Sequence, residues 1–514
     1  METTISNNNQ SQLIKEETEK IHLQILFELQ RFKNEVNQHF DSMKNNLNLR
    51  EKKSSKILTI KSFSSSYREI TESRIFISRN SLLTDLFQIS HIRGLRSVLI
   101  AILIILVIQV TINDIIEDGR INLDFGLIFK CFADLHVALF IWLIMQLSTA
   151  IIVFMGFYSW TKNRCNHYKD LKFYDTIWLL VYLTYIVLFL VLPCRQIMKH
   201  QLGFASALIV LFEQLRQLMK THAFIRENVE KVLLSVESKI NDEKFHYPNF
   251  SHYLYFLFAP TLIYRDQYPR NTIIRWNFVL QMFGEFIASM LYIYYVVVRF
   301  CIPTYANLKH TEITLPMFIS VLFDSIMPGS LFFLLSFYGF SHCWLNAFAE
   351  MLRFADRMFY NDWWNSTTFA AYYRTWNVVL HDWFYTYVYK EIYVLTGQKN
   401  RSIPAICVVL LSAIFHEYVL VFSLGFFYPV MFLLFGVVGL AFQLFLPRQK
   451  GAMYNILIWL LLLIGVSLQS CLYFMETYAR KSCPSNNTFW DKLIPRSFVC
   501  RMSLPSNKHL KIDL

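Results

Sequence analysis

The chain has 514 residues, of which 54% are hydrophobic and 17% are charged, with a mean hydropathy of +0.34. This composition is typical of a polytopic membrane protein and excludes an ordinary soluble enzyme of similar length. The formal net charge of +12 does not predict a nucleic-acid partner, because the Lys and Arg residues lie mostly beside apolar runs, where they mark the cytosolic flanks of membrane spans.

The N-terminal region is hydrophilic and begins with METTISNNNQSQ, so no cleavable signal peptide is expected. Apolar residues recur at mixed three- and four-residue steps from Ile21 to Leu47, which predicts an amphipathic helix within residues 1–50. Such a helix could pair with other chains as a coiled coil or fold back on its own membrane domain. Residues 51–95, rich in Lys, Ser and Arg up to residue 75, are predicted to form a cytosolic linker.

The rest of the chain predicts an all-α fold with about nine transmembrane helices, embedded in the membrane over residues 96–476 and followed by a tail at 477–514. The two weakest assignments are the fourth span, which carries Glu213 and Arg216, and the eighth, which a short turn separates from the seventh. The nine stretches are roughly residues 97–113, 133–160, 174–194, 203–220, 277–302, 314–340, 403–424, 428–446 and 454–474.

The charges of the short loops predict the orientation in the membrane. Arg93 and Arg96 precede the first span, whereas the loop after it is rich in Asp and Glu. Because basic flanks stay in the cytosol, the N-terminus is predicted to be cytosolic, and nine crossings then place the C-terminus in the lumen. Arg195 and Lys199 fall on the luminal side, contrary to this rule.

One polar stretch, FYNDWWNSTTFAAYYRTWNVVLHDWFYTYVYKE (359–391), crowds aromatic rings, amides and a histidine between the sixth and seventh spans. Asn377 offers an uncharged hydrogen-bond donor, and His381 lies four residues later on the same helical face. Arg374, Lys390 and Arg401 offer positive charge for the phosphates of a soluble donor. Each of these residues alone could instead cap a helix, bridge two helices or flank a span.

His416 lies near the middle of the span containing LLSAIFHEYVLVF. An ionisable side chain at membrane depth is expensive and indicates function, although a histidine that a neighbouring helix satisfies is the alternative. A neutral buried histidine can accept a proton from a hydroxyl group. The sequence contains no G-x-S-x-G, P-loop or G-x-G-x-x-G motif, which leaves a serine acyl-enzyme, nucleotide hydrolysis and dinucleotide chemistry without support.

Two motifs resemble those of the membrane-bound O-acyltransferases. FYNDWWN (359–365) is similar to the FYxDWWN signature of the family, and SAIFHEY (412–418) is similar to the segment that holds its catalytic histidine. The resemblance runs from about Leu211 to Arg501 and is strongest to the sterol O-acyltransferase (acyl-CoA:cholesterol acyltransferase) branch. Three details favour this branch over the diacylglycerol branch: Arg265 and Asp266 after FAPTLIY, Asp382 in HDW, and the cysteines of the tail.

This resemblance implies the family fold and a reaction that forms sterol esters. His416 would deprotonate the sterol 3-hydroxyl for direct attack on the acyl-CoA thioester, and Asn377 would be the second catalytic residue. A cytosolic tunnel for long-chain acyl-CoA and a lateral entrance for the sterol would meet at His416. Residues implied to line the acyl-CoA path are Arg374, His381, Tyr385, Tyr389, Lys390, Arg401 and Ser412. Residues implied to shape the reaction chamber or sterol site are Trp363, Trp364, Asn365 and Trp376.

The resemblance also implies an endoplasmic-reticulum membrane location, with homodimers or homotetramers to which the N-terminal helix contributes. Acyl-CoA would be a co-substrate, so no cofactor and no metal are expected. Cys483 and Cys500 would pair in the luminal tail, although two free thiols are the alternative, and closing such a loop is worth roughly 3 kcal/mol. Two other functions stay open: transfer to diacylglycerol or another lipid alcohol, and lipid binding or transport without catalysis.

The predicted orientation can be tested with two glycosylation sequons. Asn365 in N-S-T should remain unmodified because it faces the cytosol, whereas Asn486 in N-N-T should be available to luminal glycosylation. The measurement is the glycosidase-sensitive mobility of the wild type and of Asn365→Gln and Asn486→Gln variants. A glycan at Asn365 would contradict the orientation.

Overall fold

The computed structural model describes residues 74–119, 125–164, 171–237, 248–306, 314–446, 449, 451–482 and 489–497. The predicted helix in residues 1–50, the first part of the linker and the predicted Cys483–Cys500 disulfide lie outside these residues. In the described part, strand-like pairing is limited to two isolated β-bridges, Arg79 with Asp356 and Arg270 with Phe354. The all-α prediction is confirmed.

Seven helices in the described part are long and apolar enough to cross a membrane. They are α2 (Ser90–Ile116), α3 (Gly126–Arg164), α4 (Leu171–His200), α7 (Trp276–Ala306), α8 (Leu315–Met351), α12 (Ser402–Leu424) and α14 (Ala452–Lys481). The other helices used below are α1 (Leu82–Leu86), α5 (Phe204–Glu237), α6 (Phe250–Phe258), α9 (Phe369–Trp376), α10 (Val378–Phe384), α11 (Lys390–Leu395), α13 (Phe432–Phe445) and α15 (Phe489–Leu493).

The directions of the helices show that α5 also returns the chain across the bundle. Helices α2 and α7 run parallel, because Arg96 pairs with Glu285 at 2.5 Å near their starts and Asp114 pairs with Arg299 near their ends. The chain must therefore cross an odd number of times between them. Helices α3 and α4 supply two crossings, and α6 is too short, so α5 supplies the third.

Composition alone does not reveal α5 as a crossing helix, because its polar residues face the protein interior. Gln214, Gln217 and Lys220 are buried at 1% exposure or less. The Lys220 ammonium donates to the carbonyl oxygens of Phe256 (2.6 Å), Leu257 (3.0 Å) and Ala259 (2.6 Å). These carbonyls belong to the end of α6, where intrahelical partners are missing, so the Lys220 N–H groups supply the donors that the helix end lacks.

The same reasoning applies to α13. The ends of α12 and α14 lie together, because the Tyr473 hydroxyl is 3.4 Å from the Glu417 carboxylate and Arg480 lies 4.7 Å above the Phe426 ring. These helices are parallel, so the chain must cross back between them, and α13 is the described helix that does so. Its length is only about 21 Å at 1.5 Å per residue. The nine predicted crossings therefore agree with the helix directions, although seven helices qualify by length and composition.

The non-helical segment 352–362, between α8 and α9, is buried against this bundle. Phe359 is 2% exposed and Tyr360 is fully buried. The Glu350 carboxylate binds Arg275 at 2.9 Å and also pairs with the buried Arg357 guanidinium. The segment thus carries FYNDWWN into the core in an irregular conformation, and its buried charges, Asp356 and Arg357, are paired inside the protein.

Residues 74–95, assigned to the linker from the sequence, include ordered structure that contacts the membrane domain. Residues 74–81 are extended and are followed by α1, and α2 begins at Ser90. Ser81 is fully buried and accepts a hydrogen bond from the Asn346 amide at 2.9 Å.

Replacing Lys220 with Met should destabilise the protein, because the hydrocarbon stem is kept while three buried carbonyls lose their donor. We expect a loss of about 3 kcal/mol and a clearly lower melting temperature in detergent. Lys231→Met on the same helix is the matched control, since the Lys231 side chain is 50% exposed and its partner Asp266 is 54% exposed. The control should change stability by about 0.5 kcal/mol or less. Equal melting temperatures for the two variants would contradict this account of Lys220.

Candidate active site

The ring of His416 is held in a defined tautomer by its own helix. Its Nδ1 lies 2.7 Å from the carbonyl oxygen of Ser412, one turn earlier in α12. Because a carbonyl oxygen can only accept, Nδ1 carries the proton and donates it in this hydrogen bond. The Nε2 atom of the neutral ring then keeps its lone pair, which is the requirement for a general base.

His416 is also exposed, unlike a histidine that fills a protein core. Its side chain is exposed, although α12 packs against α5 and α13. Its ring contacts Phe435 of α13 with a centroid distance of 5.2 Å, and Phe435 contacts Tyr373 of α9 at 5.0 Å. These rings connect the helix of His416 to the polar stretch that the sequence singled out.

Glu417, the residue after His416, determines where α13 begins. Its carboxylate accepts a hydrogen bond from the backbone N–H of Phe432 at 3.0 Å, and the Tyr473 hydroxyl accepts one from the N–H of Met431 at 3.1 Å. These are unpaired donors at a helix N-terminus, where negative charge is favourable. The sequence analysis missed Glu417, although its position beside His416 in the same apolar span was a usable signal.

Helices α12 and α13 approach each other closely at one glycine. A Cβ atom on Gly436 would lie 2.8 Å from the Cβ of Ala413, which is closer than two carbon atoms can pack. Gly436 is the neighbour of Phe435, so this close approach and the Glu417 contact together place the Phe435 ring against His416.

The tryptophans of FYNDWWN form a compact aromatic cluster. Trp363 is 3% exposed and lies 4.7 Å from the Trp376 ring, which stacks on Phe333 at 4.6 Å. The carbonyl oxygen of Trp364 accepts from Trp459 of α14 at 3.0 Å. The Asn365 side chain is exposed, so Trp363, Trp364 and Trp376 come together here while Asn365 lies at the edge.

Asn377 sits at the break between α9 and α10 and caps the second helix. Its side-chain oxygen accepts from the backbone N–H of Leu380 at 3.0 Å. The next residue, Val378, donates its N–H to the carbonyl oxygen of Phe359 at 2.9 Å. These two bonds fix the start of α10 directly against the FYNDWWN segment.

Three of the seven residues predicted to line the acyl-CoA path, His381, Tyr385 and Tyr389, form a ladder of stacked rings on one face of the helix that begins with α10. His381 stacks on Tyr385 (6.2 Å between centroids), Tyr385 on Tyr389 (5.4 Å) and Tyr389 on Tyr393 (6.1 Å). This follows from their four-residue spacing. Tyr393 was missed from the sequence, although it continues the same spacing.

The cationic residues of the predicted path differ in burial. Lys390 is 4% exposed, and its ammonium lies 5.1 Å from the Tyr385 ring centre. The side chains of Arg374 and Arg401 are exposed, and Arg401 lies at the start of α12. Ser412 is buried and contributes its carbonyl oxygen to His416.

A different face of the helix that carries the ladder is packed against the protein through the buried Tyr387. Tyr387 donates a hydrogen bond to the Glu227 carboxylate at 3.1 Å. Burial, together with the Glu227 charge, holds the pKa of Tyr387 well above its usual range, so this hydroxyl stays protonated. Across the described residues, no group of three or more His, Cys, Asp or Glu side chains is arranged to hold a metal.

The chain is similar in sequence to one family of known proteins. Residues 125–475 match the sequence model of the membrane-bound O-acyltransferase family (MBOAT). The chain belongs to this family. It is 41% identical to "Sterol O-acyltransferase 1" of Mus musculus over 434 residues. The matched region covers 84% of this chain and 80% of that protein. It is also 41% identical over 429 residues to "Sterol O-acyltransferase 2" of Homo sapiens, covering 83% of this chain and 80% of that protein.

Family membership confirms the resemblance drawn from FYNDWWN and SAIFHEY. Both motifs lie within the matched residues. Tyr373, in the helix α9 that follows FYNDWWN, contacts Phe435, and Phe435 contacts His416 of SAIFHEY. The chain is a multi-pass membrane protein of this family.

Substitutions at Asn377 separate its capping role from a role in chemistry. Asn377→Ser keeps a side-chain oxygen for the Leu380 N–H, whereas Asn377→Ala removes it and should cost about 1 kcal/mol. We expect the melting temperature to fall only in the Ala variant, but acyl transfer to be lost in both, since neither variant carries the amide N–H. Wild-type acyl transfer by Asn377→Ser would show that Asn377 acts as a cap alone.

Proposed function

We propose that this protein is an acyl-CoA-dependent sterol O-acyltransferase that transfers a long-chain acyl group to the sterol 3-hydroxyl. The observation that carries the proposal is the His416 ring, which is exposed and holds its proton on Nδ1, so that Nε2 can accept a proton. The relatives named sterol O-acyltransferase, each about 41% identical over four fifths of both chains, support the choice of acceptor.

In this reaction His416 Nε2 accepts the proton of the sterol hydroxyl while the sterol oxygen forms a bond to the acyl carbon of the thioester. The carbon–sulfur bond breaks, and the coenzyme A sulfur takes the proton from the imidazolium as it leaves. No acyl-enzyme is formed. The Ser412 carbonyl stabilises the imidazolium through Nδ1–H, and the apolar walls formed by Phe435 and its neighbours exclude water as a competing nucleophile.

The acyl donor would lie along the ladder from His381 to Tyr389, with Ser412 and Asn377 near its reactive end. Stacked rings suit the flat adenine of coenzyme A, and Lys390, Arg374 and Arg401 bring positive charge to its phosphates. Trp363, Trp364 and Trp376 would form the apolar wall that meets the sterol.

The membrane location, the orientation and the oligomeric state of the enzyme follow from the same proposal. Sterol esters are made from membrane-dissolved sterol, which fits an endoplasmic-reticulum membrane protein with a cytosolic N-terminus. Because nine crossings place the start of α2 and the end of α14 on opposite faces, the C-terminal tail would be luminal, where a Cys483–Cys500 disulfide can persist. The amphipathic pattern from Ile21 to Leu47 would serve in a homodimer or homotetramer.

The decisive measurement is esterification of cholesterol and of diacylglycerol by membranes containing the protein and labelled oleoyl-CoA. We expect sterol ester from the wild type and a loss on the order of 10²–10⁴-fold in His416→Ala, as for removal of a general base. His200→Ala is the control, since His200 is exposed at the end of α4. Diacylglycerol turnover without sterol turnover would overturn the acceptor, and sterol esterification by His416→Ala would overturn the mechanism.

A further inference from the structure

The extended segment 74–80, within the predicted linker 51–95, is attached firmly to the segment that carries FYNDWWN. The Arg79 N–H donates to the Ala355 carbonyl at 2.9 Å, and the Arg357 N–H donates to the Arg79 carbonyl at 3.1 Å. The Arg79 guanidinium binds both oxygens of Asp356, at 2.7 and 3.1 Å. Such a two-pronged bond to a carboxylate that is almost fully buried makes residues 74–80 an integral part of the membrane domain.

Phe76 anchors the same segment through apolar contact. Its ring lies 5.2 Å from Tyr268 and 6.2 Å from Phe354 in edge-to-face geometry. The guanidinium of Arg74 lies over the Phe76 ring at 5.1 Å, which fixes the direction in which the arginine extends.

Arg74 joins this segment to α10. Its guanidinium pairs with the Asp382 carboxylate, lies 3.6 Å from Asp356 and is 3.4 Å from the Met358 carbonyl oxygen. The Arg74 and Asp382 side chains are 13% and 20% exposed, so the pair is largely removed from water. A charge pair in this setting interacts far more strongly than one on the surface.

Asp382 in turn contacts the first ring of the ladder. Its other carboxylate oxygen lies 3.5 Å from Nδ1 of His381, the ring that stacks on Tyr385. The chain of contacts therefore runs from Arg74 through Asp382 to His381. Two physical effects follow: Arg74 orients the end of the ladder, and it neutralises a carboxylate that would repel the phosphates of an anionic acyl donor.

We propose that Arg74 is a positioning residue for the acyl donor, acting through Asp382 to hold His381 and to cancel the negative charge beside the acyl-CoA path. The proposal rests on the proposed function, in which acyl-CoA lies along this ladder. It assigns the end of the N-terminal extension to donor binding, so residues outside the family motifs contribute to affinity for acyl-CoA.

The experiment compares steady-state kinetics of sterol esterification in the wild type, Arg74→Gln, Asp382→Asn and the double variant, with oleoyl-CoA varied at saturating cholesterol. Arg74→Gln should raise KM for oleoyl-CoA about tenfold with kcat changed much less, because an uncompensated carboxylate then faces the donor. The double variant should recover KM to within about threefold of the wild type, because the repelling charge is gone as well.

Two further variants keep the test decisive. Arg74→Lys retains the charge and should stay within about threefold of the wild-type KM. Arg93→Gln is the matched control, since Arg93 is an exposed arginine at the start of α2 and should leave both constants unchanged. Melting temperatures in detergent show whether each variant folds.

An unchanged KM in Arg74→Gln, or a raised KM that Asp382→Asn does not relieve, would overturn the role of Arg74. A raised KM in Arg74→Lys equal to that of Arg74→Gln would also overturn it, because charge would then not be the cause. Absence of sterol ester from the wild type would instead refute the proposed function, so the two failures are distinguishable.

Discussion

Irregular backbone inside a helical membrane protein is stable only where protein groups satisfy its N–H and C=O groups, and the segment between α8 and α9 meets this condition from three sides. Arg79 supplies a backbone donor and a backbone acceptor to residues 355 and 357. The Asn361 N–H donates to the Thr375 carbonyl at 2.8 Å, and the Phe359 carbonyl accepts from Val378 at 2.9 Å. The position of the FYNDWWN tryptophans, and with it one wall of the site, depends on these bonds.

The wall that carries His416 is built from the helices α12 and α13. His416 is fixed by a hydrogen bond within its own helix, and the adjacent Glu417 sets the start of α13, whose Phe435 lies against the His416 ring. One helix therefore supplies both the reactive group and the residue that positions its neighbour. Packed helices therefore place the base, whereas a hydrogen-bonded loop places the FYNDWWN tryptophans.

Charged residues in this protein serve packing as well as chemistry. Lys220 satisfies the carbonyl end of α6, Glu350 joins Arg275 to Arg357, and Arg74 joins the N-terminal extension to Asp382. In an apolar environment each such charge is stable because its partners are already in place, and removing one partner leaves the other unpaired. In the sequence, polar residues inside the bundle look like interruptions of apolar spans. In the structure, their side chains form the contacts that hold the non-helical segments in place.

The amino-acid sequence by itself determined the membrane class, the helical fold, the approximate positions of the crossings and the family, because apolar run length and the motifs FYNDWWN and SAIFHEY are local properties of the chain. It also singled out His416, since an ionisable residue in an apolar run is visible without any structure. The tertiary structure decided that α5 and α13 return the chain, because helix direction depends on contacts such as Arg96–Glu285 and Tyr473–Glu417 between distant residues. It also decided which nitrogen of His416 is free, which residue places Phe435, and that Arg74 reaches Asp382. The contacts behind these features range from one helical turn, between His416 and Ser412, to more than three hundred residues, between Arg74 and Asp382, and only the folded arrangement shows which of them form.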